Sequence, residues 1–194
     1  MKYKLSALVL YVGILVGLSS APASMQAAET PSGDDPPKLS PGVMRRLERA
    51  TWVRDIHTKQ SKHAVYVFSD PECSYCNRLW KNIEASHANG AEVRYLLVGV
   101  ITPESRPKAA AILQASNPSD ALAKNEKDFA RGGVAPASSI TDATSETLSL
   151  NASLMEALGI PATPGIVYED AKGDAHVFYG VPTADELQQI LKPK

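Results

Sequence analysis

Two cysteine side chains, Cys73 and Cys76, are the residues best suited to do chemistry in this chain, and they are its only cysteines. Two residues separate them. An apolar run at 64–68 precedes the pair, and a helix-like run at 77–83 follows it. The pair therefore lies on a predicted strand-to-helix turn. A Cys-x-x-Cys motif on such a turn is typical of a site that exchanges thiols with disulfides.

The predicted turn gives the two sulfurs different roles. The first N–H groups of a helix have no partner within the helix, and the positive end of its dipole favours an anion there. A cysteine in this position has its pKa lowered from about 8.5 into the range of about 3.5–7.5. Cys73 is therefore predicted to be the exposed nucleophile. Cys76, one turn into the helix, is predicted to be the shielded thiol that resolves a mixed disulfide.

Two other uses of a cysteine pair remain as alternatives, a structural disulfide and half of a zinc site. A cross-link stabilises more as the loop that it closes grows, and this loop is very short. Zinc takes about four ligands, and the sequence has no second cysteine pair. Its histidines are scattered without ligand spacing, at His57, His63, His87 and His176. A redox-active Cys73–Cys76 disulfide is favoured, with no metal and no further cofactor.

The composition fits a single globular domain and gives no reason to expect a polyanionic partner. The chain has 194 residues, of which 44% are hydrophobic and 21% are charged, which is enough for one core. Loss of a leader that contains Lys2 and Lys4 would reduce the 20 basic residues to 18, against 21 acidic residues. Without a basic excess, nucleic acids and anionic membranes are not expected as partners.

The first 23 residues have the three parts of a secretory signal peptide. Lys2 and Lys4 supply the basic part, residues 5–18 the apolar part, and residues 21–23 a small-x-small cleavage site. The apolar run is shorter than the ~20 residues of a spanning helix, and no cysteine follows it to carry a lipid. We expect cleavage near Ala23, no stable membrane anchoring, and export. Because disulfides persist in oxidising compartments, a single exported pair is expected to act on the disulfides of other proteins.

The remaining chain is predicted to be a leader, a linker helix and a catalytic domain. Residues 24–42 are rich in Pro, Ser, Gly and Asp and are predicted to be a disordered leader or linker. Apolar residues near a 3.6-residue period predict a helix over 43–56, so that 43–58 forms a linker helix before a domain at 59–194.

The domain is predicted to have an α/β thioredoxin fold with a helical insertion. The predicted elements are a strand at 65–69, a helix at 74–88, a strand at 93–101, mostly helical residues at 103–158, a hairpin of 166–169 with 176–179, and a final helix that a Thr-x-x-Glu capping box opens at 183 and that ends near 191. The order is βαβ, a helical insert, then ββα. A parallel strand pair joined by a helix, followed by a hairpin and a helix, is the thioredoxin topology.

Thr163 and Pro164 are predicted to form the second half of the site. They lie between a predicted helix and a predicted strand, at the end of the domain that faces the cysteine turn. A cis Pro164 there would leave neighbouring backbone groups available to pair with an extended peptide. Glu72, beside the nucleophile, is predicted to oppose thiolate formation through its charge, or else to be a solvated turn residue. Tyr75 is predicted to lie on the site surface and to tune substrate contact.

The residues around the cysteine pair resemble those of the periplasmic thiol:disulfide interchange proteins DsbG and DsbC, and DsbG more closely. The resemblance covers about 43–191. It is carried by residues 65–71 leading into 73–76, by 96–101 with 103–105, by 109–113, by Leu158 with Gly159, by Thr163 with Pro164, and by 180–182. It implies disulfide isomerisation or reduction in the periplasm, a Cys73 nucleophile, a resolving Cys76 and a cis Pro164. It also implies exported proteins with cysteines as partners, and a membrane electron donor of the DsbD type that keeps the family members themselves reduced.

The chain departs from this family's pattern in two places. It has Ser74 and Tyr75 between the cysteines, where DsbG-like sites have Pro-Tyr and DsbC-like sites have Gly-Tyr. The N-terminal dimerisation domain of the family has no counterpart in the sequence, so a monomer is expected. A monomer could be oxidised by a DsbB-type partner and act as a DsbA-like disulfide donor. A chaperone or binding module with incidental redox activity is the other alternative.

Overall fold

A computed structural model describes residues 39–40, 42–86 and 90–193. The predicted signal peptide and nearly all of the predicted leader lie outside these residues. The described chain forms a five-stranded sheet with the order β1-β3-β2-β4-β5. The strands are β1 (Val53–Arg54), β2 (Ala64–Ser69), β3 (Glu92–Leu97), β4 (Gly165–Glu169) and β5 (Ala175–Tyr179). The helices are α1 (Val43–Arg49), α2 (Ser74–Ser86), α3 (Ser105–Leu113), α4 (Pro118–Lys127), α5 (Asp142–Ala157) and α6 (Ala184–Leu191).

The strand pairing confirms the predicted topology. β2 and β3 are parallel and are joined through α2, whereas β4 pairs antiparallel with both β2 and β5. Thr183 and Glu186 form the predicted capping box at the start of α6. The helical insert consists of α3, α4, a 3-10 turn at Phe129–Arg131, and α5. This order places the ends of β2 and β3, and the start of β4, at one edge of the sheet.

The predicted linker helix is wrong in its second half. α1 ends at Arg49, and the next residue, Ala50, has extended backbone angles of φ −70° and ψ 162°. The chain then forms the short strand β1, which pairs antiparallel with β3. Val43 and Leu47 of α1 are buried against the sheet. Edge pairing and packing, which depend on β3, outweigh the helical period of the sequence.

The predicted strand at 93–101 is also too long. β3 ends at Leu97, and the backbone N–H groups of Val100 and Ile101 donate to the Asp70 carboxylate at 2.8 Å and 3.2 Å. These two N–H groups therefore bond to a side chain and not to a neighbouring strand. The end of α2 predicted at residue 88 falls outside the described residues, since the helix is described to Ser86.

Each face of the sheet covers its own hydrophobic core. One core contains Trp80 and Leu79 of α2 together with residues of the insert and α6, and the other contains α1 and the end of α5. Trp80 is 2% exposed, so it is a core residue, as the sequence predicts. Within the described ranges, no helix has the length and apolar character needed to cross a membrane.

Candidate functional site

Asp70 shapes the turn that carries the cysteines. Its side chain is fully buried and accepts the backbone N–H of Glu72 at 2.9 Å, in addition to those of Val100 and Ile101. Its own carbonyl accepts the N–H of Cys73 at 3.0 Å. One carboxylate thus ties the end of β2 to the loop after β3. The role of Asp70 is not predicted from the sequence, although Asp followed by Pro is a known turn-forming pair.

Cys73 immediately precedes α2, where its sulfur receives a helix donor. The backbone N–H of Cys76, at the third position of the helix, donates to Cys73 Sγ at 3.2 Å. An N-cap side chain accepts from the helix in the same way. On its other side, the Cys73 thiol donates to the Thr163 carbonyl oxygen at 3.4 Å. Neither cysteine is in a disulfide in this structure.

This setting separates the pKa values of the two thiols. Donation from the Cys76 thiol, helped by the Thr163 side chain and by backbone N–H groups of Cys76 and Tyr75, lowers the pKa of Cys73 to about 6 from its ordinary 9.0, although burial opposes the shift. Burial, and then the bond and charge of Cys73, raise the pKa of Cys76. Cys73 is therefore the thiolate of the pair at neutral pH, and Cys76 keeps its proton.

Cys73 is less accessible than predicted. Cys73 is 5% exposed and Cys76 is 2% exposed, so both sulfurs lie beneath the surface. The backbone of Thr163 covers Cys73 from a segment 90 residues away. The two residues between the cysteines, Ser74 and Tyr75, are exposed. The Tyr75 ring, which is 57% exposed, lies 4.9 Å from the Arg78 guanidinium carbon.

The Thr163–Pro164 peptide bond is cis, which is the isomer that the sequence predicts. The Pro164 carbonyl accepts the N–H of Gly180 at 2.9 Å, just beyond the end of β5. The next residue, Gly165, must be small because a Cβ there would lie 2.3 Å from the Ile160 side chain. The hairpin thereby fixes this segment beside the cysteine turn.

Glu72 forms an ion pair and is not simply solvated. Its carboxylate binds the ammonium group of Lys108, which is 4% exposed and also donates to the Gly132 carbonyl at 2.9 Å. Lys108 lies on α3, so this pair links the cysteine turn to the insert. The nearby cation offsets the charge by which Glu72 was predicted to act on Cys73.

A buried polar cluster lies behind the cysteine turn, and the sequence did not predict it. We call Asn77, Asn125 and Glu126 the amide cluster; the three residues are 6%, 0% and 2% exposed. Asn77 Nδ2 donates to Glu126 Oε2 at 2.8 Å, and Asn125 Nδ2 donates to Glu126 Oε1 at 3.2 Å. Asn77 belongs to α2 and the other two belong to α4. No sequence pattern links residues 49 positions apart, so only the fold brings them together.

Two of the described histidines, the residues most often found as metal ligands, have other partners. No group of three or more His, Cys, Asp or Glu side chains is placed there to hold an ion. His57 contacts Asp55 and Glu84, and His63 bonds to the Ile190 carbonyl, so these two histidines have other partners. His87 lies outside the described residues.

Comparison with known proteins agrees with this geometry. Residues 54–193 match the model of a family described as "Thioredoxin-like domain". The chain is 32% identical over 157 residues to the thiol:disulfide interchange protein DsbG of Pseudomonas aeruginosa, a match that covers 80% of this chain. It is also 32% identical over 153 residues to DsbG of Escherichia coli. The chain spans 61% of the length of each of these relatives.

Solved structures show the same fold. A disulfide interchange protein from Neisseria gonorrhoeae is 26% identical, with a TM-score of 0.51, and the match covers 75% of this chain and 94% of that one. A periplasmic thioredoxin-like protein from Salmonella enterica serovar Typhimurium has a TM-score of 0.62 at 18% identity, covering 80% and 97%. At that lower identity, the likeness shows the fold alone.

Proposed function

This chain belongs to the thioredoxin-like domain family, and from that premise we propose that it is a thiol:disulfide oxidoreductase of exported proteins. Cys73 is the nucleophile and Cys76 the resolving thiol. The setting of Cys73 Sγ carries the proposal. It accepts the backbone N–H of Cys76, at the start of α2, at 3.2 Å. With a pKa of about 6, this sulfur is mostly thiolate at neutral pH.

The reaction consists of two thiol–disulfide exchanges. The Cys73 thiolate attacks one sulfur of a substrate disulfide, and the other substrate sulfur leaves as a thiolate. In isomerisation, a substrate thiolate attacks the mixed disulfide and regenerates Cys73. In reduction, Cys76 loses its proton and attacks Cys73, so the Cys73–Cys76 disulfide forms and both substrate sulfurs are released reduced. Oxidation of a substrate dithiol is the reverse of this second route.

The surface beside the site supports a flexible polypeptide as substrate. Tyr75, Val100 and Ile101 are apolar side chains that are 57%, 54% and 49% exposed. Tyr75 lies in the motif, and the other two lie on the loop that Asp70 ties to the cysteine turn. The Thr163 backbone beside Cys73 offers polar groups to an extended peptide. We therefore propose substrates with apolar residues near an accessible cysteine.

We propose the periplasm as the location and isomerisation or reduction as the direction, with electrons supplied by a membrane donor of the DsbD type. Similarity to two DsbG proteins favours this direction. The alternative is a disulfide donor re-oxidised by a DsbB-type partner. Thiol trapping of the Cys73–Cys76 pair in intact cells separates the two. A mostly reduced pair fits the proposed direction, and a mostly oxidised pair makes the protein a donor.

A trapping experiment tests the activity itself. Cys76→Ser cannot resolve a mixed disulfide, so we expect it to accumulate adducts with exported proteins that dithiothreitol releases. Cys73→Ser is the matched control, since it removes the nucleophile by the same change, and it should trap nothing. Equal trapping by both variants would refute the assignment of Cys73. If a double Cys→Ala variant complements fully in cells and suppresses client aggregation, the protein is a chaperone and not an oxidoreductase.

A further inference from the structure

Glu126 is a buried carboxyl group for which the exchange mechanism above has no use. It lies on α4 of the insert and is 2% exposed. The hydrogen-bond donors to its carboxylate oxygens are both neutral amides, Asn77 at 2.8 Å and Asn125 at 3.2 Å. Neutral donors stabilise an ionised carboxyl group less than a paired cation would. Burial without such a cation favours the protonated form.

The same two asparagine residues also contact the cysteine turn. Asn77 follows Cys76 directly, and its backbone N–H donates to the Cys73 carbonyl at 3.1 Å. Asn125 Nδ2 also donates to the Pro71 carbonyl at 3.1 Å. Each end of the turn is therefore linked to the Glu126 carboxyl group through a single residue, Asn125 at Pro71 and Asn77 at Cys73. A charge created on Cys73 acts on Glu126 across a water-poor interior, where electrostatic interactions are poorly screened.

The two groups titrate in neighbouring pH ranges. The pKa of Glu126 is raised to about 7, chiefly by burial and also by the charge of Cys73, against the hydrogen bonds from Asn77 and Asn125 and the charge of Lys81. The pKa of Cys73 is about 6. A carboxyl group and a thiol with such values change protonation within the same physiological interval.

Other charged or titratable groups also lie on the elements packed around α4. A pH effect attributed to Glu126 must be distinguished from any effect of these groups. They are Arg54 with Asp55 at β1, Lys81 on α2, Tyr95 on β3, Lys108 on α3 and Arg131 in the 3-10 turn. Lys108 pairs with Glu72, and Arg131 pairs with Asp128. Burial raises the pKa of the Tyr95 phenol well above its ordinary value, which keeps it neutral.

We propose that Glu126 takes up a proton when the Cys73 thiolate forms and releases that proton when the thiolate is consumed. The inference rests on the proposed thiol–disulfide exchange. Reduction of the Cys73–Cys76 disulfide by a dithiol partner takes two electrons and gives one thiolate, at Cys73, and one protonated thiol, at Cys76. A proton from solvent enters the Glu126 carboxyl group in the same step. When the disulfide re-forms, that proton returns to solvent, and so the insert links the redox reaction to pH.

Equilibration with glutathione over pH 5.5–8.5 measures this linkage. Reduction by two glutathione thiols releases one proton for each Cys73 thiolate formed, so the logarithm of the equilibrium constant should rise by about one unit per pH unit above the Cys73 pKa. In the wild type, Glu126 should take up part of the released proton. If the thiolate raises the Glu126 pKa by about one unit, the slope of the logarithm of the equilibrium constant against pH should fall to about half near pH 7. Glu126→Gln should restore the full slope.

Two further variants make the comparison specific. Glu126→Asp keeps a titratable group and should keep a reduced slope, whereas Glu146→Gln removes an exposed acid of the insert and should behave as wild type. Glu126→Gln should also lower the Cys73 pKa by about 0.5–1 unit, since a neighbouring negative charge is lost. The pH profile of iodoacetamide alkylation reports that pKa.

The outcomes separate the two proposals. If wild type and Glu126→Gln equilibrate with glutathione and have the same slope, the role of Glu126 is refuted while the exchange function stands. If the wild type does not form and lose the disulfide with glutathione at all, the exchange function fails first. Should Glu126→Gln not fold, infrared difference spectra of the reduced and oxidised wild type decide the matter. A protonated carboxyl band gained on reduction at pH 7 supports the proposal, and its absence overturns it.

Discussion

Two polar clusters lie on opposite sides of β3 and surround their acidic side chains differently. The arginine cluster, made of Glu48, Tyr66, Glu92 and Arg94, lies on the side of α1. The amide cluster lies on the side of the insert. In the first, Arg94 binds both Glu48 and Glu92, so a full positive charge faces the acids. In the second, Glu126 faces only amide donors.

The difference shows which acid can exchange a proton. In the arginine cluster, the bond from Tyr66 and the nearby Arg94 lower the pKa of Glu48. In the amide cluster, burial raises the pKa of Glu126 to about 7. The first arrangement joins α1 to the sheet, and the second leaves a titratable group behind the cysteine pair. The two acids differ in burial as well as in partners, since the Glu48 side chain is 58% exposed and Glu126 is 2% exposed. The buried acid with amide donors therefore titrates near neutral pH, whereas the exposed acid beside a cation has a lowered pKa.

Removing the cation Arg94 should have the largest effect on the free energy of unfolding. Arg94→Met leaves Glu92, which is 1% exposed, without its counter-charge. Breaking a buried pair from one side costs about 3–5 kcal/mol, and chemical denaturation at pH 7 should show that loss. Arg131→Met is the matched control, because Arg131 pairs with Asp128 on the surface and is 77% exposed, so the loss should be below about 1 kcal/mol. Similar losses for both variants would remove the contrast between buried and exposed cations.

Glu126→Gln should have the opposite effect on stability, and only at higher pH. The folded pKa of Glu126 is about 7, above the ordinary 4.5, so the wild type is unaffected below pH 4.5 and loses stability as pH rises toward and through 7. Relative to wild type, the variant should gain about 2–3 kcal/mol between pH 4.5 and pH 8. Urea unfolding of the oxidised proteins measures this gain without a Cys73 thiolate, whose charge contributes to the pKa of about 7, so the gain should lie at the lower end of that range. A difference that does not vary with pH would mean that Glu126 does not titrate in the fold.

The Cys73 thiolate should make a pH-dependent contribution of the reverse sign. Its folded pKa is about 6, below the ordinary 9.0, so its stabilisation is complete above pH 9 and is lost as pH falls through 6. The stability of the reduced wild type relative to Cys73→Ser should fall by about 2.5 kcal/mol from pH 8 to pH 5. The oxidised wild type, which has no thiolate, is the control. A constant difference would show that the Cys73 pKa is not lowered in the folded protein.

Glu72 should give the smallest effect. Its carboxylate is neutralised by Lys108, so Glu72→Gln removes a charge that Cys73 feels only weakly. We expect the Cys73 pKa to fall by about a few tenths of a unit, since Lys108 is left unpaired beside the turn. The pH profile of Cys73 alkylation measures the change. Glu104→Gln, which removes a more exposed partner of Lys108 at 3.6 Å, should shift it less. A profile unchanged by Glu72→Gln would exclude any effect of that charge.

Much of the fold could be predicted because its signals are local. The apolar run of β2, the hairpin of β4 and β5, and the capping box at Thr183 each depend on residues a few positions apart. The predicted linker helix is wrong at Val53 because pairing with β3 decides the conformation there, and no local sequence pattern contains that partner. The predicted length of β3 is wrong for the same reason, since the Asp70 carboxylate that accepts the N–H of Val100 lies 30 residues earlier in the chain.

The sequence by itself determined the chemistry of this protein: two cysteines, two residues apart, at the start of a helix that follows a buried strand. Spacing and helix geometry fix that arrangement within a few residues, whatever the rest of the chain does. The tertiary structure alone decided the surroundings of the pair. It placed the Thr163 carbonyl 3.4 Å from Cys73 and held Glu126 behind Asn77. Both contacts join distant segments, and burial changes the pKa of an acid only after the fold has removed it from water.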